Sequence, residues 1–519
     1  MVKLFLQNLW LSQTKKYCKI LFVTICLIHN SIGYCQNYFN RTYHYLTFDS
    51  LNRTESYGGL VEVPQGGYLA SGNSWNSING STKLILDRIN SDGELISQKA
   101  YGDSGDYFIV SDMKTLQDGN IGILISKSSY LLDSTWFYFV KSTTEGDTIL
   151  TRVFSSGKLK TNARKFCLTS DNGVALVGWT GDAQNSHGKS CVIKLDSLYN
   201  IQWVKDYGDS TRFNVGTSIV QLNSNGYFVT SWFSEGTSNT YIRNSRLSRI
   251  DEYGNELWTA DFGLTGLLDN IEEILECNPN SFAMIGSRCL GPDYLDNANG
   301  WFMLVDSSGN EIINKNYGSP FLEGLNRFVR INNDFLAVGV QQLPPISRST
   351  GYLMKLNSTG DSIWSRSYRF DSSQTNYGDN TLGLSMTSDS GIILYGHVRI
   401  GSTGTQDAWL VKVDSNGCED LACSQLVSVF ENFQTQNNNC FLYPNPSYGS
   451  SNLQLGEEFI YQQIVVTIYD LNGAVINRDY IMPDDKKFVI PLRKVDTGLY
   501  FISIKSGIKE QTLKWVVVD

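Results

Sequence analysis

Few residues beyond position 35 are of a type that carries chemistry, and their spacing matches none of the common catalytic motifs. The histidines there are His44, His187 and His397. None of them lies in an HExxH-type spacing, and no CxxC pair, GxSxG elbow, P-loop or GxGxxG sequence occurs. Carboxylates alone can hydrolyse glycosidic bonds, so a carbohydrate-active enzyme that uses carboxylates on one face is an alternative. The sequence predicts no catalytic residue, no metal site of the common motifs and no cofactor.

The residues that suit binding are aromatic and polar side chains on or beside long loops. Exposed aromatic rings with polar neighbours suit the recognition of sugars or peptides, and ordinary loop packing is the alternative. The candidate ligand-binding residues are Trp75, His187, Trp232, Tyr241, Asp293 and Tyr294. Asp293 and Asp296 could contribute to a calcium site, although the dense oxygen-ligand spacing of an EF-hand loop is absent.

A repeat with a period near 54 residues must position these loops. A short polar residue follows a strand-like apolar run seven times, at Asn90, Thr143, Asp196, Asp251, Asp306, Asn357 and Asp414. Glycine stands three positions after six of these seven anchors, as a turn with positive φ requires. The anchor side chains are predicted to form the turns. Tryptophans seven positions after three anchors, Trp203, Trp258 and Trp364, are predicted to pack between repeats.

Each repeat also contains a second hairpin, so each holds four short strands. Seven copies of a four-stranded unit predict an all-β fold with a seven-bladed β-propeller, and an open solenoid of hairpins is the alternative. The seventh copy lacks its last strand. The segment Arg41–Tyr45 is similar to Arg366–Phe370, a last strand of the sixth copy, so the N-terminal strand is predicted to complete the last blade and close the ring. The long, dissimilar loops then share one face, where binding usually occurs.

Three motifs near the C-terminus have a different character. They are Leu442-Tyr443-Pro444-Asn445-Pro446, then Val466 to Gly473, and finally Thr497 to Ile504. In this order they resemble the type A C-terminal sorting domain of the type IX secretion system of Bacteroidota. The resemblance implies a small β-sandwich, handling by the type IX secretion machinery, export through the outer membrane and removal of the sorting domain. The residues that match the motifs are Pro444, Asn445, Pro446, Asp470, Gly473, Gly498 and Tyr500.

The N-terminal sequence also predicts export. Three lysines precede a short apolar run, Ile20 to Ile28, and small residues follow, which predicts a signal peptide cut after Cys35. Nine apolar residues are too few to span a bilayer, and no other stretch predicts a membrane-spanning segment. The predicted domains are residues 1–35 (signal peptide), 36–426 (propeller), 427–439 (linker) and 440–519 (sorting domain). The net charge of −9 argues against nucleic acid as a partner.

Seven cysteines follow the predicted signal peptide, so at least one of them cannot form a disulfide with another cysteine of the chain. Cys418 and Cys423 are near enough to form a disulfide, although Cys440 could compete for either. Cys167, Cys191, Cys277 and Cys289 are predicted to be buried thiols. Together these features predict a non-catalytic binding or adhesion protein, secreted or attached to the outer-membrane surface, whose ligand is an extracellular glycan or protein. A purely structural surface protein is a further alternative.

Overall fold

The protein consists of two compact units, Met1–Ser428 and Val429–Asp519. The computed structural model describes residues 38–45, 53–76, 82–102, 106–129, 134–154, 160–181, 188–209, 211–234, 242–264, 266–289, 298–318, 323–343, 348–370, 378–399, 405–419, 440–443, 445, 447, 451–455, 459, 463–470, 473–482, 489–491, 495–506 and 509–518. Within these ranges the secondary structure is β-strand, and no α-helix occurs. None of the described segments is a helix that could cross a membrane.

The first unit is a β-propeller of seven four-stranded antiparallel blades, as the repeat predicts. Blade 1 contains β2 (Arg53–Glu62), β3 (Tyr68–Asn76), β4 (Thr82–Ile89) and β5 (Leu95–Tyr101). Blade 2 contains β6 (Asp106–Thr115), β7 (Ile121–Ser129), β8 (Ser134–Ser142) and β9 (Thr148–Phe154). Blade 3 contains β10 (Lys160–Leu168), β11 (Val174–Gly181), β12 (Lys189–Leu195) and β13 (Ile201–Tyr207).

Blades 4 to 7 follow the same pattern, and the last one takes its outer strand from the N-terminus. They contain β14 (Asn214–Gln221), β15 (Tyr227–Ser234), β16 (Arg243–Ile250), β17 (Glu256–Phe262); β18 (Asp269–Asn278), β19 (Ser281–Cys289), β20 (Ala298–Asp306), β21 (Glu311–Tyr317); β22 (Glu323–Ile331), β23 (Asp334–Leu343), β24 (Arg348–Leu356), β25 (Ser362–Tyr368); and β26 (Gly378–Met386), β27 (Ile392–Arg399), β28 (Gln406–Val413), with β1 (Phe39–Tyr43).

The N-terminal strand closes the ring, which confirms the prediction. β1 pairs antiparallel with β28, from Phe39 opposite Lys412 to Tyr43 opposite Ala408. Trp409 Nε1 donates a 2.7 Å hydrogen bond to Asn40 Oδ1 across this pair. β28 would otherwise present an unpaired edge, so the strand removes a site for edge-to-edge association.

The first strand of every blade lies at the propeller axis. These seven strands contact one another around the ring, and each carries a β-bulge at the same repeat position. A bulge bends the strand and re-aims the side chain beside it. The repeat therefore places seven equivalent residues at one level of the axis.

One face of the propeller carries the tight turns that the anchors predict. In the third blade, Asp196 Oδ1 accepts hydrogen bonds from the N–H groups of Leu198 (2.9 Å) and Asn200 (2.8 Å). The other anchors, Asn90, Thr143, Asp251, Asp306, Asn357 and Asp414, accept equivalent pairs of bonds. Because the sheets are antiparallel, the ends of the second and fourth strands meet on the opposite face, which we call the loop face.

The repeated tryptophans pack between blades, as predicted. A Cβ added to Gly254 in blade 4 would come within 2.8 Å of the ring of Trp203 in blade 3. Gly309 and Gly417 meet Trp258 and Trp364 in the same way. Glycine at the anchor turn thus serves both the positive φ, 79° at Gly254, and the close approach of the neighbouring indole.

The cysteines agree in part with expectation. Cys418 is buried and forms a disulfide. Cys423, its predicted partner, lies outside the described residues. Cys167, Cys191, Cys277 and Cys289 are thiols rather than half-cystines. Cys191 and Cys289 are buried, whereas Cys167 and Cys277 are half-buried.

The second unit contains two small sheets around its own apolar core. One sheet has the order β29–β30–β33 and the other has the order β32–β31–β34–β35. The strands are β29 (Phe441–Tyr443), β30 (Asn452–Gln454), β31 (Ile464–Tyr469), β32 (Val475–Ile481), β33 (Val489–Pro491), β34 (Gly498–Ser506) and β35 (Lys509–Val517). The core includes the fully buried Trp515.

Candidate functional site

The loop face carries a row of aromatic side chains in contact with one another on blades 3 and 4. Phe213, just before β14, lies 5.1 Å from Trp179 of β11 and 5.7 Å from Trp232 of β15, measured between ring centroids. The guanidinium carbon of Arg243 lies 4.3 Å from the centroid of Trp232. We call Trp179, Phe213, Trp232 and Arg243 the aromatic ladder. Trp179 and Phe213 are half-buried, so parts of their rings face solvent.

Two further arginines surround the ring next to the ladder. Arg212 and Arg246 lie over Phe233, at 5.4 Å and 4.8 Å from its centroid. Arg246 is held by Asp261 through two hydrogen bonds of 2.6 Å and 2.9 Å. This stretch of the loop face therefore combines aromatic surface with guanidinium groups, a combination that suits stacking and hydrogen bonding to a polar ligand.

The repeat explains how the ladder forms. Trp179 and Trp232 are 53 residues apart, and in consecutive blades each pairs with the residue two before the bulge of the first strand. Phe213 fits between them because Gly188 offers no side chain there; an added Cβ would come within 2.9 Å of the Phe213 ring. The other blades place Asn73, Ser126, Ser287, Val340 and His397 at this position. Only blades 3 and 4 present a tryptophan there.

The structure describes two of the six predicted ligand-binding residues, Trp75 and Trp232. Trp75 and Trp232, which are predicted on or beside long loops, lie in the second strands, β3 and β15. Trp232 is buried, with 6% of its surface exposed, and Trp75 is half-buried. His187, Tyr241, Asp293, Tyr294 and Asp296 lie outside the described residues. The gaps that contain His187 and Tyr241 directly follow the strands of Trp179 and Trp232.

Two carboxylates at the loop face are engaged by neighbouring basic groups. Asp106 of blade 2 forms an ion pair with Lys127, at 2.9 Å. In blade 5, Asp269 is buried and lies 3.0 Å from Nε of Arg288. Arg288 also lies over the ring of Trp301, at 3.7 Å from its centroid. These carboxylates are fixed by the scaffold.

A network of buried charged side chains lies at the propeller axis, and the sequence motifs do not predict it. Nη1 of Arg327 in blade 6 lies 2.6 Å from Oδ1 of Asp112 in blade 2, so this ion pair spans the axis. Nζ of Lys165 in blade 3 lies 2.7 Å from Oε1 of Glu273 in blade 5. All four are the residues that directly follow the bulge in their first strands. We call them the axial network.

Backbone groups complete the axial network. Oδ2 of Asp112 accepts a 3.1 Å hydrogen bond from the N–H of Phe166, and Oε2 of Glu273 accepts one of 2.8 Å from the N–H of Phe328. Burial alone would raise the pKa of Asp112, but Lys114 and Arg327 hold it well below its usual range. Burial lowers the pKa of Lys165 to about 8, against the pull of Glu273. The network ties four blades together at the centre.

In the C-terminal unit, the predicted sorting residues hold its strand ends together. Asn445 Nδ2 donates a 2.6 Å hydrogen bond to the carbonyl of Lys514, and Asn445 Oδ1 accepts one of 2.8 Å from the N–H of Val516. Asp470 closes a tight turn by accepting the N–H of Ala474 at 2.8 Å, and Gly473 in that turn has φ 79°. Pro444 and Pro446 lie outside the described residues.

Tyr500 and Gly498 of the third motif lie on β34 beside the core. The Tyr500 hydroxyl donates a 2.9 Å hydrogen bond to the carbonyl of Asp496, and its ring lies 5.8 Å from that of Trp515. A Cβ at Gly498 would lie 3.4 Å from the Tyr500 ring. Trp515 Nε1 donates a 2.7 Å hydrogen bond to Ser447 Oγ. The motifs thus specify the fold of this unit.

Comparison with known proteins identifies one of the two units. No curated protein matches the chain. Solved structures that resemble it include the β-propeller domain of the Trilobed protease from Pyrococcus furiosus, with 8% identity, a TM-score of 0.41, and coverage of 71% of this chain and 97% of that one. Sqt1 from Chaetomium thermophilum shows 10% identity, a TM-score of 0.39, and coverage of 72% and 100%.

The acylaminoacyl peptidase of Pyrococcus horikoshii shows 10% identity, a TM-score of 0.38, and coverage of 80% of this chain; the match spans 58% of the peptidase. Residues 441–518 match the family model described as the secretion system C-terminal sorting domain. They include the three motifs and the Asn445, Asp470 and Tyr500 contacts described above. The C-terminal unit is therefore a type IX secretion sorting domain, which this chain carries behind a β-propeller.

Proposed function

We propose that this exported propeller is a non-catalytic binding protein whose ligand docks on the aromatic ladder of the loop face. The sorting domain indicates export by the type IX secretion system, to the medium or the cell surface. Removal of a signal peptide from residues 1–35 and of the sorting domain after export belongs to the same proposal. The propeller is then the part that works outside the cell.

The row of aromatic contacts from Trp179 through Phe213 to Trp232 is the observation that supports this proposal. Aromatic rings offer much contact area at a small cost in side-chain entropy, and adjacent arginines add directional donors. An extracellular glycan fits this chemistry best, because sugar rings stack on aromatic faces while their hydroxyl groups accept hydrogen bonds from guanidinium groups. Variable loops beside the ladder would add selectivity.

The experiment is an incubation of the purified chain with a panel of soluble and insoluble polysaccharides. Retention of the protein on one polysaccharide, without release of reducing ends, is the expected result. Release of reducing ends would instead indicate the enzyme alternative that uses carboxylates. Retention on immobilised peptides or proteins, with none on any polysaccharide, would indicate that the ligand is a protein and not a glycan. No retention on any of these would contradict the binding proposal and favour a structural surface protein.

A further inference from the structure

Three potential metal ligands meet where the N-terminal strand joins blades 7 and 1. His44 follows β1, Glu55 lies on β2 and Asp407 lies on β28. Nδ1 of His44 is 3.1 Å from Oδ1 of Asp407 and 3.9 Å from Oε2 of Glu55. One ligand atom from each of the three residues lies within 4.8 Å of the other two.

Neighbouring groups orient the Glu55 carboxylate. Glu55 is buried, with 4% of its surface exposed. Its Oε1 accepts a 2.9 Å hydrogen bond from the N–H of Tyr45 and a 2.7 Å bond from Oγ of Ser74. Its Oε2 is the oxygen that lies 3.9 Å from Nδ1 of His44. Groups that fix a ligand through its second oxygen are typical of built metal sites.

A cavity beside this cluster contains a further buried carboxylate. His44 and Glu55 line a cavity of about 10 Å³ together with Asp87. Asp87 is 1% exposed, and its Oδ2 accepts a hydrogen bond from the hydroxyl of Tyr57. Its Oδ1 has no hydrogen-bond partner within the described part of the chain. Several buried carboxylates in one place disfavour each other's ionised forms, and a bound cation relieves this cost.

We propose that His44, Glu55 and Asp407 bind a divalent transition-metal ion such as Zn²⁺ or Mn²⁺. One imidazole nitrogen with two carboxylate oxygens suits these ions, whereas Ca²⁺ takes oxygen ligands. Ligand atoms around a tetrahedral Zn²⁺ are about 3.4 Å apart. This separation lies between the 3.1 Å and the 3.9 Å that separate Nδ1 of His44 from Asp407 Oδ1 and Glu55 Oε2. The ion would connect the N-terminal segment to the first and last blades, and so hold the ring closed.

The test is binding of metal alone to the full chain, purified without a histidine tag and stripped with chelator. Titration calorimetry with ZnCl₂ and MnCl₂ is expected to give one site per chain. Co²⁺ is expected to give a ligand-field absorption band that Zn²⁺ removes. His44→Ala and Asp407→Asn are expected to weaken binding at least 10-fold. Asp147→Asn, at an exposed carboxylate that pairs with Lys99, is the matched control and should bind as the original chain does.

Thermal unfolding gives a second measurement. Excess Zn²⁺ or Mn²⁺ should raise the unfolding midpoint by a few °C in the original chain and in Asp147→Asn, but not in His44→Ala. His44 is exposed, so its substitution should leave the fold intact, which circular dichroism checks. Binding that His44→Ala and Asp407→Asn leave unchanged would overturn the proposal. Failure of both transition-metal ions to bind, or binding of Ca²⁺ alone, would also overturn it.

Discussion

The hydroxyl group of Tyr43 donates a 2.8 Å hydrogen bond to the backbone carbonyl of Gly93, and this bond joins the last blade to the first. The same bond recurs between consecutive blades, from the tyrosine of the outer strand to the glycine of the next anchor turn. It links Tyr101 to Gly146, Tyr207 to Gly254, Tyr317 to Gly360 and Tyr368 to Gly417. The ring therefore closes through the interaction that also holds four of its other six blade boundaries.

Deleting residues 36–48 should destabilise the propeller far more than trimming an unstructured terminus. The deletion removes β1, leaves β28 as an open edge and uncovers the apolar residues that Phe39 and Tyr43 contact. We expect a lower unfolding midpoint and concentration-dependent association, measured by calorimetry and light scattering. An unchanged melting curve would show that the strand does not close the ring.

Tyr43→Phe isolates the hydrogen bond from the strand. Tyr207→Phe is the matched control because it removes the same 2.8 Å bond at another blade boundary. Each substitution should lower the free energy of unfolding by about 0.5–1.5 kcal/mol in denaturant titrations. A loss at Tyr207 with none at Tyr43 would mean that the closing boundary is not formed as the others are.

Arg327→Met should be strongly destabilising because it leaves Asp112 buried opposite an apolar side chain. Breaking one partner of a buried ion pair costs about 3–5 kcal/mol. The double change Asp112→Asn with Arg327→Met should recover part of that loss. Lys141→Met, which breaks an exposed ion pair with Asp118, should cost less than about 1 kcal/mol. Equal losses at the two sites would contradict a stabilising axial network.

Repeats made the scaffold predictable, whereas contacts between distant repeats escaped prediction. The turn role of Asp196 follows from a local pattern, and Tyr43 was recognisable because Tyr368 occupies the same position. Asp112 and Arg327 are 215 positions apart, and each shares its strand with two other charged residues that are not among the four of the network. Their shared repeat position, also held by Lys165 and Glu273, was the available indication of the axial network.

Other site contacts depend on which strand ends approach one another. Phe213 stands outside the repeated positions, so no spacing shows that it enters between Trp179 and Trp232. The cluster of His44, Glu55 and Asp407 joins residues from both ends of the propeller. Sequence spacing cannot reveal such a set, because ring closure alone brings it together.

Asp87 should make the stability of the propeller fall as the pH rises. Burial raises the pKa of Asp87 to about 7, and hydrogen bonds from Tyr57 and Gln98 offset this only in part. The folded state therefore binds the proton more tightly than the unfolded state, whose pKa is near 4. Stability is lost as the pH rises from about 4 to about 7, and it is constant above that range.

Asp87→Asn removes this titration. With chelator present, denaturant unfolding at pH 5 and pH 8 should show a smaller loss of stability for Asp87→Asn than for the original chain. Asp118→Asn, at an exposed carboxylate, should retain the original pH dependence. The same pH dependence in both variants would contradict a buried, proton-binding Asp87.

Replacing Trp179 and Phe213 together by Ala should abolish polysaccharide retention while the fold persists. Both rings are half-buried on the loop face, so their loss removes ligand contact area more than blade packing. A second variant, with Trp75, Trp232 and Tyr241 changed to Ala, tests the residues that sequence alone selects. Retention is measured by pull-down on the polysaccharide that binds best.

Asn255→Ala with Asn310→Ala is the matched control for this prediction. Both asparagines donate side-chain hydrogen bonds to the anchors of their own turns, on the face opposite the ladder. The control should retain the polysaccharide. Loss of retention in the control, with normal retention in the ladder variant, would place the ligand on the turn face.

Removing residues from Cys440 onward should trap a folded propeller in the periplasm. The propeller unit ends at Ser428, and among the described strands no blade contains one from the C-terminal unit, so the truncation leaves the blades complete. The truncated chain lacks the sorting domain that the secretion machinery handles. Cell fractionation of the native host should recover it in the periplasm with the protease resistance of the full chain. The control changes Asn255 to Ala in the full chain and should reach the medium or the cell surface normally. Normal delivery of the truncated chain would show that residues 440–519 are dispensable for export.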